Sequence, residues 1–217
     1  MTGIASVTWH VTPIAPPQPH RHCKTCGRAR PFRPSGKVRL NANGKQLDAW
    51  LIYKCDTCDQ TWNLPLLDRV AVAAVDPDDL WAMQVSDPAW VSARTFDLAL
   101  LRRHCDRIDL RPDLHVTKVI ALPAPMIWSE IGLTIVAPLP TGMRLDRLLA
   151  HELGLSRTRL VAIQASGGLC AAEGSLISVK TPVIGCLRLR FVAARLDDGT
   201  RAALSAALLT PETGPEP

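Results

Sequence analysis

The sequence predicts an α+β protein: a small cysteine-stapled β module, a short helical middle region, and a C-terminal pair of helices followed by a small sheet. Three observations predict it. Cysteines stand in two Cys-x-x-Cys pairs, Cys23/Cys26 and Cys55/Cys58, on either side of a hairpin signal at Asn43-Gly44. Asp76-Pro77 and Asp87-Pro88 each set a capping carboxylate before a proline at the first helical position. From Met143 to Val192, two apolar stripes at helical spacing precede three short strand-like runs. The implied division is serial, with a β module over 1–64, a connecting region over 65–140, a helix-plus-sheet module over 141–195 and a tail over 196–217.

Two such knuckles about thirty residues apart can present four thiolates to one tetrahedral ion, and zinc most often takes that donor set. Gly27 follows the first pair and permits a tight turn under the sulfurs, while Trp62 follows the second and can cover the ion. Leu47, Ala49, Leu51 and Tyr53 alternate along the returning strand and share one face. Knuckle, hairpin, knuckle is a zinc-ribbon layout. The expected ligands are Cys23, Cys26, Cys55 and Cys58, holding one structural Zn2+. Two disulfides, or reduced cysteines that happen to be paired, are the alternative reading of the same pairs. His20 and His22 lie close enough to Cys23 to substitute as ligands, but four thiolates make them surface or supporting groups. Catalytic zinc keeps a position for water, so a site closed by four sulfurs points to a cross-link and not to a hydrolase.

Composition fits a globular chain of 217 residues, 47% hydrophobic and 21% charged. No stretch resembles a signal peptide and none approaches a membrane span. With seven cysteines, an odd number, a reducing cytoplasm is the expected compartment. Cys105, Cys170 and Cys186 are scattered and read as small buried residues. Prolines cluster at Pro13 to Pro19, Pro123 to Pro140 and Thr210 to Pro217, read as a lead-in, an interdomain connection and a frayed tail. The net charge of +5 is unevenly spread. His20 to Lys54 holds nine Lys or Arg against Asp48 alone, whereas Cys55 to Asp109 holds ten Asp and five Arg. A local cation of this kind attracts phosphate backbones.

In the middle, one short helix is expected through Leu80, Trp81 and Met83. A longer one follows, with Ala89, Ala93, Phe96 and Leu100 inward, ending near Arg107. His104 suits a capping role near that end. Val116 to Leu122 and Leu133 to Val136 read as strands. Asp78-Asp79 and Asp197-Asp198 suit a helix first turn and a turn before Gly199, so neither pair signals acid–base chemistry. No phosphate loop, Gly-x-Ser-x-Gly or His-Glu-x-x-His motif is present. An enzyme is not expected, and no small-molecule substrate is evident.

Further on, Leu145, Leu148, Leu149 and Leu153 form one stripe closed by Gly154. Ser156 then caps a helix facing inward through Leu160, Val161 and Ile163, and Gly167-Gly168 ends it. Strands are expected at Leu169 to Ala171, Leu176 to Lys180 and Cys186 to Val192, with turns at Glu173-Gly174 and Ile184-Gly185. The runs Arg144-Leu145-Asp146-Arg147-Leu148-Leu149, Leu155-Ser156-Arg157-Thr158-Arg159 and Ser166-Gly167-Gly168 resemble the S4 RNA-binding domain. That resemblance implies RNA held by cations on the two helices and their connecting turn. Carried over by position, it implies phosphate contacts at Arg144, Arg157 and Arg159, weaker ones at Arg147 and Lys180, and a cap at Ser156 that also touches the backbone. The sheet half departs from the family pattern, and Glu173 brings a negative charge near the implied RNA side.

Over most of its length the chain also resembles an uncharacterised bacterial family with paired Cys-x-x-Cys motifs. The resemblance rests on Arg28-Ala29-Arg30-Pro31-Phe32-Arg33, Leu51-Ile52-Tyr53-Lys54-Cys55, Phe96 to His104 and the Arg144 to Leu149 helix. It implies no activity. The parts together lead to the expectation of a cytoplasmic, zinc-stabilised protein that binds structured RNA. A protein-interaction or regulatory scaffold without an RNA ligand is the alternative.

Overall fold

The computed structural model describes residues 3–105, 107–111, 113–122, 127–175 and 177–209. It divides into two compact units, Ala15–Arg111 and Met1–Ile14 together with Pro112–Pro217. One unit is thus inserted into the other, which is split by it. This differs from the serial division 1–64, 65–140, 141–195 and 196–217. The cause lies in the first strand, β1 (Gly3–Pro13), whose partners come from late in the chain.

The inserted unit carries β2 (Gln18–Cys23), β3 (Arg28–Asn43), β4 (Gln46–Cys55), β5 (Thr61–Ala71), three helices and β6 (Arg107–Asp109). Its antiparallel sheet has the order β5-β4-β3-β2-β6. The β3–β4 hairpin turns through Gly44 at φ 61, where glycine carries no steric penalty. Leu47, Ala49, Leu51 and Tyr53 all face inward as alternation requires, each at most 4% exposed. Of these, Leu51 and Tyr53 join Phe32, Trp62 and Leu64 in a core closed by Val91, Leu100 and Leu101 from the helices. The helical stretch is therefore one wall of this unit's core, not a separate connection.

Those helices are α1 (Pro77–Val85), α2 (Pro88–Thr95) and α3 (Leu98–Arg102). Asp76 accepts from Asp78 and Asp79 N–H groups, and Asp87 accepts from Trp90 N–H at 2.8 Å, as their positions before proline predict. The expected single helix from Asp87 to Arg107 is instead two. Phe96 ends the first, and Asp97 caps the second by accepting from Leu100 N–H at 2.9 Å. The break turns the expected stripe: Ala89 and Ala93 are exposed, while Val91, Thr95, Phe96, Leu100 and Leu101 are buried.

The split unit contains β1, β7 (Leu114–Leu122), β8 (Trp128–Ala137), α4 (Leu145–Leu153), α5 (Arg157–Ala165), β9 (Leu169–Ala171), β10 (Gly185–Val192) and α6 (Asp198–Leu209). Sheet order is β7-β1-β8-β10-β9, with β1 and β8 parallel and the other pairs antiparallel. Alternate residues Ala5, Val7, Trp9 and Val11 of β1 meet Ile131, Leu133 and Ile135 of β8 beneath the apolar faces of α4, α5 and α6. Gly154 closes α4 at φ 62, as expected. Gly168 is required by close approach, since a Cβ there would stand 2.7 Å from the Leu196 side chain and 3.2 Å from the Arg195 carbonyl.

Several expectations are corrected here. The Pro123 to Pro140 stretch is not a connection, because Trp128–Ala137 within it is a central strand; Pro123, Ala124, Pro125 and Met126 lie outside the described residues, as does the tail from Thr210. Val161 is 49% exposed and so leaves the inward face of α5. Ile177 to Lys180 is not a strand, and Leu176 lies outside the described residues. That segment instead lies against the start of α4, where the carbonyls of Thr181 and Val179 accept from Leu145 and Asp146 N–H at 2.9 and 2.7 Å. Cys170 is buried as expected, but Cys105 is half-buried and Cys186 exposed.

Candidate metal centre

Two matching turns bring the four cysteines together. Cys23 ends β2 and Cys55 ends β4. In each knuckle the first cysteine's carbonyl accepts from the residue four positions on, Gly27 at 2.9 Å and Asp59 at 3.0 Å. Both of those residues are left-handed, Gly27 at φ 66 and Asp59 at φ 58. Aspartate thus fills in the second knuckle the role glycine fills in the first, a substitution its short polar side chain tolerates. The knuckles are tied by Thr25 Oγ1 to Gln60 Oε1 at 2.9 Å.

All four Sγ atoms lie within 4.8 Å of one another. Cys23 and Cys55 are buried and Cys26 and Cys58 half-buried, and none forms a disulfide. Cys23 Sγ and Cys58 Sγ are 3.5 Å apart. A disulfide holds sulfurs at about 2.05 Å. A tetrahedron with Zn–S of about 2.3 Å has edges of roughly 3.8 Å, so the donor set fits one such ion. Residues 23, 26, 55 and 58 could therefore hold a metal, consistent with zinc. Beneath them, Trp62 packs edge-on to Phe32 with centroids 5.8 Å apart and tilted to Tyr53 at 5.2 Å.

The protons at this site indicate what a bound cation would offset. Burial raises the Cys55 thiol, but N–H groups of Thr57 and Cys58 and the thiols of Cys23 and Cys58 outweigh it, holding the group down at about 7. Cys58 moves oppositely, up to about 12: the Gln60 N–H lowers it, but burial and the sulfurs of Cys23, Cys26 and Cys55 prevail. Four crowded thiols cannot all ionise unless a positive ion offsets their repulsion.

The histidines take other roles. His20 Nε2 stands 2.8 Å from Asp109 Oδ2, joining β2 to β6, and His22 is exposed. Around the knuckles, Arg21 stacks over Trp62 at 4.9 Å, and Lys24 and Arg28 are exposed. Arg33 is committed, reaching Asp56 at 3.2 Å and Asp59 at 2.5 Å across the second knuckle.

The residues assigned to RNA all lie in the split unit and are unequal. Arg144 precedes α4 and pairs with the buried Asp146 carboxylate at 2.5 Å. Ser156 caps α5, accepting from Arg159 N–H at 3.1 Å. Arg159 itself is tied to Asp197 and donates to Thr200 Oγ1 at 2.8 Å. Arg147, Arg157 and Lys180 are exposed and have no ion pair among the described residues. Sequence reasoning had no view of Asp146 and Asp197 as partners, because both pairings depend on side-chain geometry. No helix among the described residues is long and apolar enough to cross a membrane.

No curated protein and no solved structure matches this chain. One family model does, over residues 40–174, which is more than half the chain and includes Cys55 and Cys58 but not Cys23 and Cys26. The chain accordingly belongs to the family described as Protein of unknown function (DUF1062).

Proposed function

We propose that this is a zinc-stabilised nucleic-acid-binding protein whose ligand is structured RNA. The observation that carries the reading is the cluster of four cysteine sulfurs within 4.8 Å, set at the turn of the basic β2–β3 hairpin. Four thiolate ligands leave the ion no open position, so its role is to hold β2, β3 and the second knuckle in register. The cations then stand on a fixed surface: Arg21, Lys24 and Arg28 beside the knuckles, with Arg30 opposite Arg21 across the β2–β3 pair. Fixed cations bind phosphate without reading bases. We read the inserted unit as a ribbon-type module and Met143 to Val192 as S4-like, supported by the Ser156 cap and the close approach at Gly168. Arg144 and Arg159 contribute less than the resemblance implies, since carboxylates already hold them. The proposed compartment is the cytoplasm, where the thiols stay reduced.

A fluorescence-anisotropy titration with a structured RNA tests this. Log affinity should fall linearly with log salt, with a slope of about −0.7 to −0.9 per phosphate contacted. Lys24→Ala with Arg28→Ala should weaken binding to every sequence alike, as should Arg157→Ala. Absence of binding to any structured RNA at low salt would overturn the reading. The scaffold reading draws on one observation, the exposed Trp81 and Val85 one turn apart on α1 at 60% and 53%. It predicts instead that the protein purifies free of nucleic acid and keeps its partners after nuclease treatment.

A further inference from the structure

The split unit has a cavity of about 450 Å3, far from any cysteine of the cluster in sequence. Arg147, Leu148, His151 and Glu152 line one side of it, at spacings that share a face of α4. Ile14, the residue after β1, and Asp113 and Leu114, before and at the start of β7, line it too. These two segments are joined by Ile14 N–H donating to the Asp113 carbonyl at 3.0 Å. The volume falls in the range of about 300 to 1,000 Å3 typical of small-ligand sites.

The charges at this cavity are not alike. Glu152 is fully engaged, with Lys118 Nζ 2.9 Å from one oxygen and His151 Nδ1 2.9 Å from the other. Lys118 also lies over the Trp9 ring at 5.5 Å, so this side of the site is tied to the core. Arg147 and Asp113 differ: both line the cavity, both are exposed, and neither has an ion pair among the described residues, with the other or with any neighbour. A simple anion would meet Asp113 and a simple cation would meet Arg147. A molecule carrying both charges satisfies both, and Leu114, Met143 and Leu148 offer its body an apolar wall.

We propose that this cavity binds a small apolar zwitterion, an amino acid with an aliphatic side chain, whose carboxylate meets Arg147 and whose ammonium meets Asp113. Arginine suits a carboxylate through its paired N–H donors. The ring of His151, held by Glu152, adds a polar group at the rim. Arg147 is also among the RNA contacts the S4 resemblance implies, but this proposal rests on the cavity and not on the nucleic-acid reading, and either can fail without the other.

Calorimetric titration of the full chain with L-leucine tests it, alongside 4-methylpentanoate, which lacks the ammonium, and 3-methylbutylamine, which lacks the carboxylate. L-leucine should bind saturably, and each analogue roughly tenfold or more weakly, the loss expected for one charge-assisted contact. Arg147→Gln should weaken L-leucine to the level of the amine, and Asp113→Asn to the level of the acid. Both side chains are exposed and have no ion pair among the described residues, so both variants should retain the wild-type melting temperature. Failure of L-leucine to bind at millimolar concentration overturns the proposal. So does an analogue that binds as tightly, or a pair of folded variants that bind L-leucine as the wild type does.

Discussion

At the scale of single residues, the cysteine cluster sits in and against the core of the inserted unit. Its core is small, and the sulfurs of Cys23 and Cys55 belong to it. A structural zinc contributes on the order of 10 kcal/mol to a segment of this kind, more than such a core can replace. Cys26→Ala or Cys55→Ala should therefore abolish stoichiometric zinc and melt the inserted unit, read by elemental analysis and by loss of tryptophan fluorescence shift. A strong chelator should reproduce this in the wild type. Tyr53 offers a contrasting case. Its hydroxyl is buried with no hydrogen-bond partner among the described residues, and burial raises its pKa, with the Cys105 thiol adding to the shift. An unsatisfied buried hydroxyl costs about 1 to 3 kcal/mol. Tyr53→Phe removes that cost while keeping the ring against Trp62, so urea unfolding should show an equal or higher midpoint. A drop of about 1 kcal/mol or more would mean the hydroxyl is satisfied.

Among elements, what the sequence made legible was what local chemistry decides. Asp76 and Asp87 cap before proline, Ser156 caps α5, and Gly154 ends α4, each through contacts within a few residues. What stayed hidden was decided at a distance. The break at Phe96 follows from Asp97 acting as a cap while Leu100 and Leu101 turn to the core of the inserted unit, although an aspartate three residues before Leu100 was a usable signal. Asp97→Ala should cost about 1 kcal/mol of stability, measured by denaturant midpoint. The segment after Leu176 has strand-like composition, yet its carbonyls serve the first N–H groups of α4, which periodicity cannot reveal. The link between β7 and α4 is equally non-local. Burial raises the Glu152 carboxyl, but the Lys118 ammonium and His151 lower it further, so its folded value lies below its unfolded one. A depressed carboxyl stabilises the fold above its unfolded value, near pH 4.3, and that stability is lost as pH falls through the folded value. The stability gap between wild type and Glu152→Gln should thus be present at pH 7, at no more than about 1 kcal/mol given partial exposure, and vanish below the carboxylate range.

For the whole molecule, the serial order of motifs concealed an insertion. Nothing in β1 announces that it pairs in parallel with β8, more than a hundred residues later, because strand partners leave no mark on a single strand's composition. Once seen, the topology makes its own demand. β1 and β7 are antiparallel neighbours whose last register pair is Pro13 with Leu114, and Ile14 N–H already bonds the Asp113 carbonyl. The split unit therefore ends, on either side of the insertion, as two strands one short turn apart. The inserted unit closes likewise, with Gln18 paired to Asp109 across β2 and β6. Chains so arranged tolerate excision, since both ends of the insertion lie together. Replacing residues 15–112 with a two- to four-residue turn should give a soluble protein with the β1–β7 hairpin intact. Residues 15–111 expressed alone should bind one zinc and unfold on chelation. Amide exchange would show protection of Val7, Trp9 and Val11 in the first product. If those amides exchange freely while the full chain protects them, the split unit draws its stability from the insertion, and the two are one cooperative body.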